Sequence, residues 1–271
     1  MKTEMELPQS LRLLRRIEFP HKLGVCERLF GSQLSRMGVC WVRCSNGVLW
    51  KLDLSNSSHR WCVFGDYEGP VQMRWMNRWL AQGGHVIDSG ANIGQMTLFL
   101  HKLVGVTIHA FEPTESAANW LEASVSENAA SNIQIIRRGL SSSQRAMAIQ
   151  LDGARSTLRM DWYAGAGLET ELVELIRLDD YLEKKSLEKV RLWKLDVEGH
   201  ELEALQGAAR ALKTGAIEAI LIEISESTAE TVSGYLASVG YGLFRISEKS
   251  TLEPFSGPVT HNSNFVAIPA H

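Results

Sequence analysis

Three carboxylates stand where short apolar runs end: Asp88 after the run from His85, Glu112 after Val106–Phe111, and Asp196 within the run from Val190. An acid at the carboxyl end of a parallel strand faces the crevice in which α/β proteins bind their ligands. Asp88 opens the turn Asp88-Ser-Gly90-Ala91-Asn92-Ile-Gly94. Gly90 has no Cβ, so the backbone there can come close to a ligand, and Gly94 would let a following helix pack tightly on the strand. Glu112, followed by Pro113, comes 22 residues after Gly90, near the spacing at which an acid accepts hydrogen bonds from ribose hydroxyls. Two neighbouring anionic strand ends suit a ligand that carries a ribose and a cationic or amino head.

The glycine spacing D-x-G-x-x-x-G is not the G-x-G-x-x-G of nicotinamide enzymes, and no G-K-[ST] run is present to form a P-loop. Pyrophosphate prefers bare amides at a helix N-terminus. Asp88 would repel it and would favour a sulfonium or ammonium group. S-adenosylmethionine meets these requirements; the competing reading is a glycine turn whose acids merely cap helices.

Methyl transfer from a sulfonium is an in-line displacement that depends on positioning the nucleophile roughly 3 Å from the methyl carbon. A hydroxyl nucleophile also needs a group to take its proton. The loop Asp196-Val-Glu198-Gly199-His200-Glu201 follows a strand expected beside that of Asp88, so it would face the methyl group. Asp196 is the stronger candidate, as base or as an orienter of the acceptor hydroxyl. His200 is a second candidate base, because imidazole titrates nearest neutral pH; it reads equally as a helix-start residue facing solvent. Lys194 could pair with Glu198 or steady the carboxylate instead of touching substrate. Glu223 closes the next strand and would border the acceptor, while Glu226 reads as a helix cap as readily as a site residue. Asp196, Glu198 and Glu223 carry oxygens of the kind Mg²⁺ takes, but no ligand spacing demands a metal and none is expected.

These blocks together resemble the FkbM-type methyltransferases. Asp88-Ser-Gly90-Ala91-Asn92-Ile-Gly94, Phe111-Glu112-Pro113 and Lys194-Leu-Asp196-Val-Glu198-Gly199-His200-Glu201 fall in the family's order. Phe64-Gly65-Asp66-Tyr67-Glu68 lies upstream, and Leu178-Asp179-Asp180-Tyr181 precedes the third block. The resemblance implies a Rossmann-like fold, dependence on S-adenosylmethionine, and O-methylation of a sugar or secondary metabolite. It also implies that Glu68 reaches the methionine end of the cofactor. The family often has alanine or another small residue at the position of His200, which weakens a general catalytic role for it. N-methylation of an amine or amide, and cofactor binding without turnover, are the other functions these motifs allow.

The elements that must hold these residues follow from pattern. With 271 residues, 45% hydrophobic and 22% charged, the chain fits one large α/β domain with a small appendage. The expected architecture is a Rossmann-like class I methyltransferase over residues 71–271: a seven-stranded, mostly parallel sheet with helices on both faces. Its strands are expected at 85–89, 106–111, 133–138, 190–197, 217–224, 241–247 and 263–269. Helices are expected at 93–103, 115–128, 201–212 and 226–239, and this alternation dictates parallel pairing with right-handed crossovers. Residues 139–177 break the rhythm. Strand-like stretches at 146–151 and 171–176 flank Gly153–Gly167, which reads as a lid or a disordered insertion.

Residues 1–70 read as an N-terminal cap of helix plus β-hairpin. Residues 1–36 are expected to be helical, with Leu11, Leu14, Arg15 and Arg16 on an amphipathic basic stretch of a kind that can lie on a membrane, though three arginines favour packing or dimer contact instead. Strands Val39–Arg43 and Val48–Leu54 flank Asn46-Gly47, a type I′ hairpin signal. A third strand is expected at Trp61–Phe64 and a helix at Pro70–Leu80. Five of the eight tryptophans lie between residues 41 and 79, where they read as core, with a homodimer interface as an alternative. Cys26, Cys40, Cys44 and Cys62 match no zinc spacing and read as buried free thiols. The net charge of −3, with no long basic stripe, argues against a nucleic-acid substrate and leaves a small-molecule acceptor. There is no run of apolar residues long enough to span a membrane and no signal-peptide core at the acidic N-terminus, so a cytoplasmic location is expected.

Overall fold

The computed structural model describes residues 4–44, 46–65, 69–151 and 169–270. The segment Gly153–Gly167 and residue Glu68 therefore lie outside the described residues. Eight strands form the main sheet: β4 (Gly84–Ser89), β5 (Val106–Phe111), β6 (Ile133–Ile136), β10 (Leu192–Leu195), β11 (Ile220–Ile224), β12 (Tyr241–Ile246), β13 (Leu252–Pro254) and β14 (Ser263–Pro269). Their order is β13-β12-β14-β11-β10-β4-β5-β6. The five strands from β11 to β6 run parallel, and β14 is inserted antiparallel between β11 and β12. This is the Rossmann-like methyltransferase plan, extended by one strand beyond the seven expected: β13 hydrogen-bonds along the outer edge of β12.

The strand alternation sorts side chains onto two cores. Val86, Ile108, Ala110, Leu192 and Leu221 meet helices α4 (Pro70–Trp79), α5 (Thr97–Leu100) and α6 (Glu115–Glu127) on one face. Ile87, Phe111, Trp193, Leu195 and Ile222 meet α7 (Leu178–Lys184), α8 (Glu201–Gln206), α9 (Ala209–Lys213) and α10 (Ala229–Ser238) on the other. The interrupting stretch forms its own small sheet, in which β9 (Thr170–Ile176) lies between β7 (Gly139–Leu140) and β8 (Arg145–Gln150).

Two expected helices are shorter or broken, each for a local reason. The helix expected from residue 93 is regular only over Thr97–Leu100. Asn92 and Gly94 take φ of 50° and 96°, which an α-helix does not admit. The helix expected at 201–212 splits into α8 and α9, because the Asp179 carboxylate accepts the backbone N–H groups of Arg210 and Ala211 at 2.9 Å each. An acid from α7 thus serves as the cap for α9. At the same break Gly207 lies so close to the Ser141 carbonyl that a Cβ would approach it to 2.1 Å.

The N-terminal cap departs further from expectation. Helices α1 (Gln9–Leu14) and α2 (Lys22–Ser35) form, but β1 (Glu4–Met5) precedes them and pairs parallel with β2 (Val39–Arg43). Trp61–Phe64 is helical, not a strand. It ends α3 (Ser57–Phe64), whose start is capped by the Asn56 side chain accepting the Ser58 N–H at 2.9 Å. The hairpin from β2 to β3 (Leu49–Asp53) is not a two-residue type I′ turn. The Cys44 N–H donates to the Val48 carbonyl, and among the described loop residues only Gly47 has positive φ, at 79°. Cys26, Cys44 and Cys62 are buried, Cys40 is half-buried, and all four are free thiols.

Among the described residues strand β3 has an edge with no strand partner, and side chains seal it. The N–H groups of Leu49, Lys51 and Asp53 donate to Asn128 Oδ1 (3.0 Å), Ser124 Oγ (3.1 Å) and His59 Nδ1 (3.0 Å). Asn128 Nδ2 returns a bond to the Leu49 carbonyl at 2.7 Å. The buried side chains of the cap belong to the same hydrophobic cluster as Val86 and Ile108. Asn128→Ala is expected to lower stability by about 1–3 kcal/mol, since it strands two backbone groups of β3; urea denaturation will measure it.

Candidate functional site

The parallel register sets Asp88 beside Lys194 and Ser89 beside Leu195, so the turns that follow β4 and β10 emerge side by side. Gly90, at φ 74°, packs against the second turn so closely that a Cβ would stand 2.0 Å from the Asp196 carbonyl oxygen. The Asp196 N–H donates to the Ser89 carbonyl, and the Trp193 indole donates to Ser89 Oγ at 2.8 Å. The first turn is tied to β5 as well. The Gly90 and Ala91 N–H groups both donate to the Phe111 carbonyl at 3.0 Å, and the Asn92 N–H donates to Glu112 Oε2 at 2.8 Å. The ends of β4, β5 and β10 are thereby joined through backbone.

Asp88 is fully buried. Its Oδ2 accepts from Thr97 Oγ1 at 2.5 Å, while Oδ1 has no hydrogen-bond partner among the described residues. Burial pushes its pKa up, and the nearby Lys194 ammonium and the Thr97 hydroxyl oppose the rise. A buried carboxylate oxygen without a donor matches the amino or sulfonium pole of a ligand. Glu112 is buried at the neighbouring strand end, with Oε1 accepting from the Thr114 N–H (2.9 Å) and Oγ1 (2.6 Å). Burial raises its pKa against these bonds. Pro113 lies beside Gly139, and Gly94 backs onto Leu121 of α6 rather than onto a strand.

On the second turn, Lys194 Nζ donates to Asp196 Oδ2 at 3.0 Å; the lysine side chain is 10% exposed and the aspartate 28%. The cation is thus the buried member and the carboxylate the accessible one. Glu198 is half-buried and sits at φ 50°, followed by Gly199 at φ 93°. Two such residues in succession turn the chain sharply before α8. Glu223 is half-buried next to the end of β11, opposite Asn264 of β14. The register that pairs Leu195 with Ile222 carries Asp196 and Glu223 to the same end of the sheet.

His200 does not face solvent. It is buried, with Nε2 3.0 Å from Ser141 Oγ and Nδ1 3.6 Å from Glu203 Oε2. Burial lowers its pKa despite Glu203. Among the described residues, no cluster of His, Cys, Asp and Glu has the geometry of a metal site.

Glu201 and Thr97 are the residues that pattern reading passed over. Glu201 is buried under the second turn, where Oε1 accepts the N–H groups of Val197 (3.2 Å) and Gly199 (3.0 Å). Its signal was an acid at the first position of a helix, directly after a glycine turn. Thr97 was legible only as a hydroxyl nine residues after Asp88.

Burial pushes the Glu201 pKa up to about 7 from 4.5. Between those values the unfolded chain has released its proton while the folded chain keeps it. Stability therefore falls as pH rises through this window, by up to about 3 kcal/mol. Glu201→Gln keeps the accepting oxygen and cannot ionise, so it is expected to flatten the decline. Urea midpoints at about pH 5 and about pH 8 will check this.

Comparison with known proteins identifies the family of the chain. Residues 88–243, more than half of the chain, match the Methyltransferase FkbM domain. The chain is 28% identical over 181 residues to Methyltransferase 1 of Beauveria bassiana, covering 58% of this chain and 72% of that protein. It is 32% identical over 155 residues to Methyltransferase sdnD of Sordaria araneosa, covering 45% and 59% respectively. Among solved structures, an rRNA methylase from Streptococcus thermophilus superposes with a TM-score of 0.41 at 16% identity, over 74% of this chain and 95% of that one. The chain belongs to the FkbM methyltransferase family.

Proposed function

We propose that the protein O-methylates a hydroxyl of a small-molecule acceptor, a sugar or secondary metabolite. The observation that carries this reading is the Lys194–Asp196 pair, set on a turn in backbone contact with the Asp88–Gly94 turn. The cofactor supplies a methyl carbon activated by a sulfonium. The chain's own residues then have separable tasks. Asp88, with one oxygen unpartnered, holds the cationic pole, and Glu112 accepts from ribose hydroxyls, with Gly90, Ala91, Asn92, Gly94 and Pro113 shaping the wall between them.

Asp196 accepts the hydrogen bond of the acceptor hydroxyl and takes its proton as the oxygen–carbon bond forms and the sulfur–carbon bond breaks. Lys194 fixes the carboxylate in position. Glu198 and Glu223 border the acceptor, and Glu68 is assigned to the methionine end of the cofactor by the family resemblance alone. His200 receives no chemical step in this scheme, because Ser141 and Glu203 engage its ring nitrogens.

Two measurements test the proposal. Calorimetry is expected to show S-adenosylmethionine or its demethylated product binding, with little binding of NADH; the reverse ranking overturns the reading. Asp196→Asn is expected to cut kcat by about 10²–10⁴-fold while cofactor affinity changes by less than about threefold, equivalent to about 0.6 kcal/mol. Equal loss of both would move Asp196 into the cofactor pocket.

A further inference from the structure

The N-terminal cap carries a surface that the methyl-transfer site does not use. Among the described residues eight large hydrophobic side chains are exposed, and six of them fall in the first 39 residues: Leu13, Ile17, Val25, Leu29, Met37 and Val39. Leu13, Ile17 and Leu29 are 58%, 57% and 63% exposed. Isolated exposed leucines are ordinary, but a concentration of them marks an interaction site. On α2, Val25, Leu29 and Arg36 fall within about 40° of one another around the helix axis.

Charge accompanies these side chains in a regular way. Arg12, Arg16, Arg28 and Arg36 directly precede Leu13, Ile17, Leu29 and Met37. Of the four acids in residues 4–39, three are already engaged: Glu4 with Arg43, Glu18 with Lys22, and Glu27 with Arg60. Among the described residues, those four arginines have no ion-pair partner. The surface is therefore cationic on a chain whose net charge is −3. Lys22 also donates to the Arg15 carbonyl at 2.8 Å, so the Arg15–Glu18 turn is held against the start of α2.

We propose that this surface docks on an anionic lipid bilayer. A second copy fits it poorly, because a twofold contact sets the same cationic patch against itself. A bilayer supplies both complements at once. Leucine and isoleucine side chains enter the boundary between headgroups and acyl chains, and the guanidinium groups lie among the phosphates. The attachment is peripheral, since no helix among the described residues is long and apolar enough to cross a membrane.

Co-sedimentation of the full chain with phosphatidylcholine vesicles, with and without phosphatidylserine, tests the proposal. Strong binding is expected only with phosphatidylserine, and it should weaken at high salt. The double variants Arg16→Glu/Arg28→Glu and Ile17→Ser/Leu29→Ser are each expected to weaken binding by about tenfold or more. Both should keep wild-type thermal melting and S-adenosylmethionine affinity, which separates this surface from the proposed catalytic role. Three results would overturn the idea. One is no binding to phosphatidylserine vesicles; another is binding indifferent to Ile17→Ser/Leu29→Ser, which would mean a purely electrostatic polyanion site. The third is a dimer in sedimentation equilibrium that Ile17→Ser/Leu29→Ser dissolves, which would assign the surface to self-association.

Discussion

The contact between the Gly90 α-carbon and the Asp196 carbonyl is the constraint on which the rest of the site depends. No side chain fits at Gly90, so the turns after β4 and β10 can approach to backbone distance. The amides of Gly90 and Ala91 then bind the end of β5. Three strand ends are locked largely by main-chain atoms, with the Glu112 and Glu201 carboxylates tying down the turn amides. Positive φ at Asn92 and Glu198 costs of order 1–3 kcal/mol each. Such conformations persist where surrounding bonds over-determine them, as the Glu112 and Glu201 carboxylates do here through the amides of Asn92, Val197 and Gly199.

Charge is the second organising feature. Asp88, Glu112 and Glu201 are buried acids whose pKa values burial pushes up. Lys194, also buried, stands between Asp88 and Asp196, pairing with the second and offsetting the desolvation of the first.

Much of this was legible before any coordinates. Apolar runs ending in acids placed β4, β5 and β10, and alternation placed the strands that follow, because burial of a parallel strand writes itself into consecutive residues. The failures were local. Trp61–Phe64 is a short apolar run that suits a strand or a helix, and the Asn56 cap decided for the helix. The break between α8 and α9 came from Asp179, thirty-one positions away from Arg210, a distance no periodicity reveals. The solvent-facing reading of His200, one of the two that pattern allows, fails for the same reason: Ser141, its partner, arrives from a distant segment. Glu112 sat at the expected position, yet its bonds to the Asn92 and Thr114 amides depend on turn geometry that spacing alone does not encode.

The sealed edge of β3 bears on how the chain can be dissected. The family-matching portion begins at Asp88, which invites trimming everything before it. Such a truncation would remove Leu49, Lys51 and Asp53 and leave the amide of Asn128 and the hydroxyl of Ser124 facing water. It would also strip Trp50, Phe64 and Trp75 from the cluster that covers one side of the sheet. The minimal folding unit is therefore larger than the unit of kinship, and the leading segment is as much a part of the catalytic body as the strands that carry the acids.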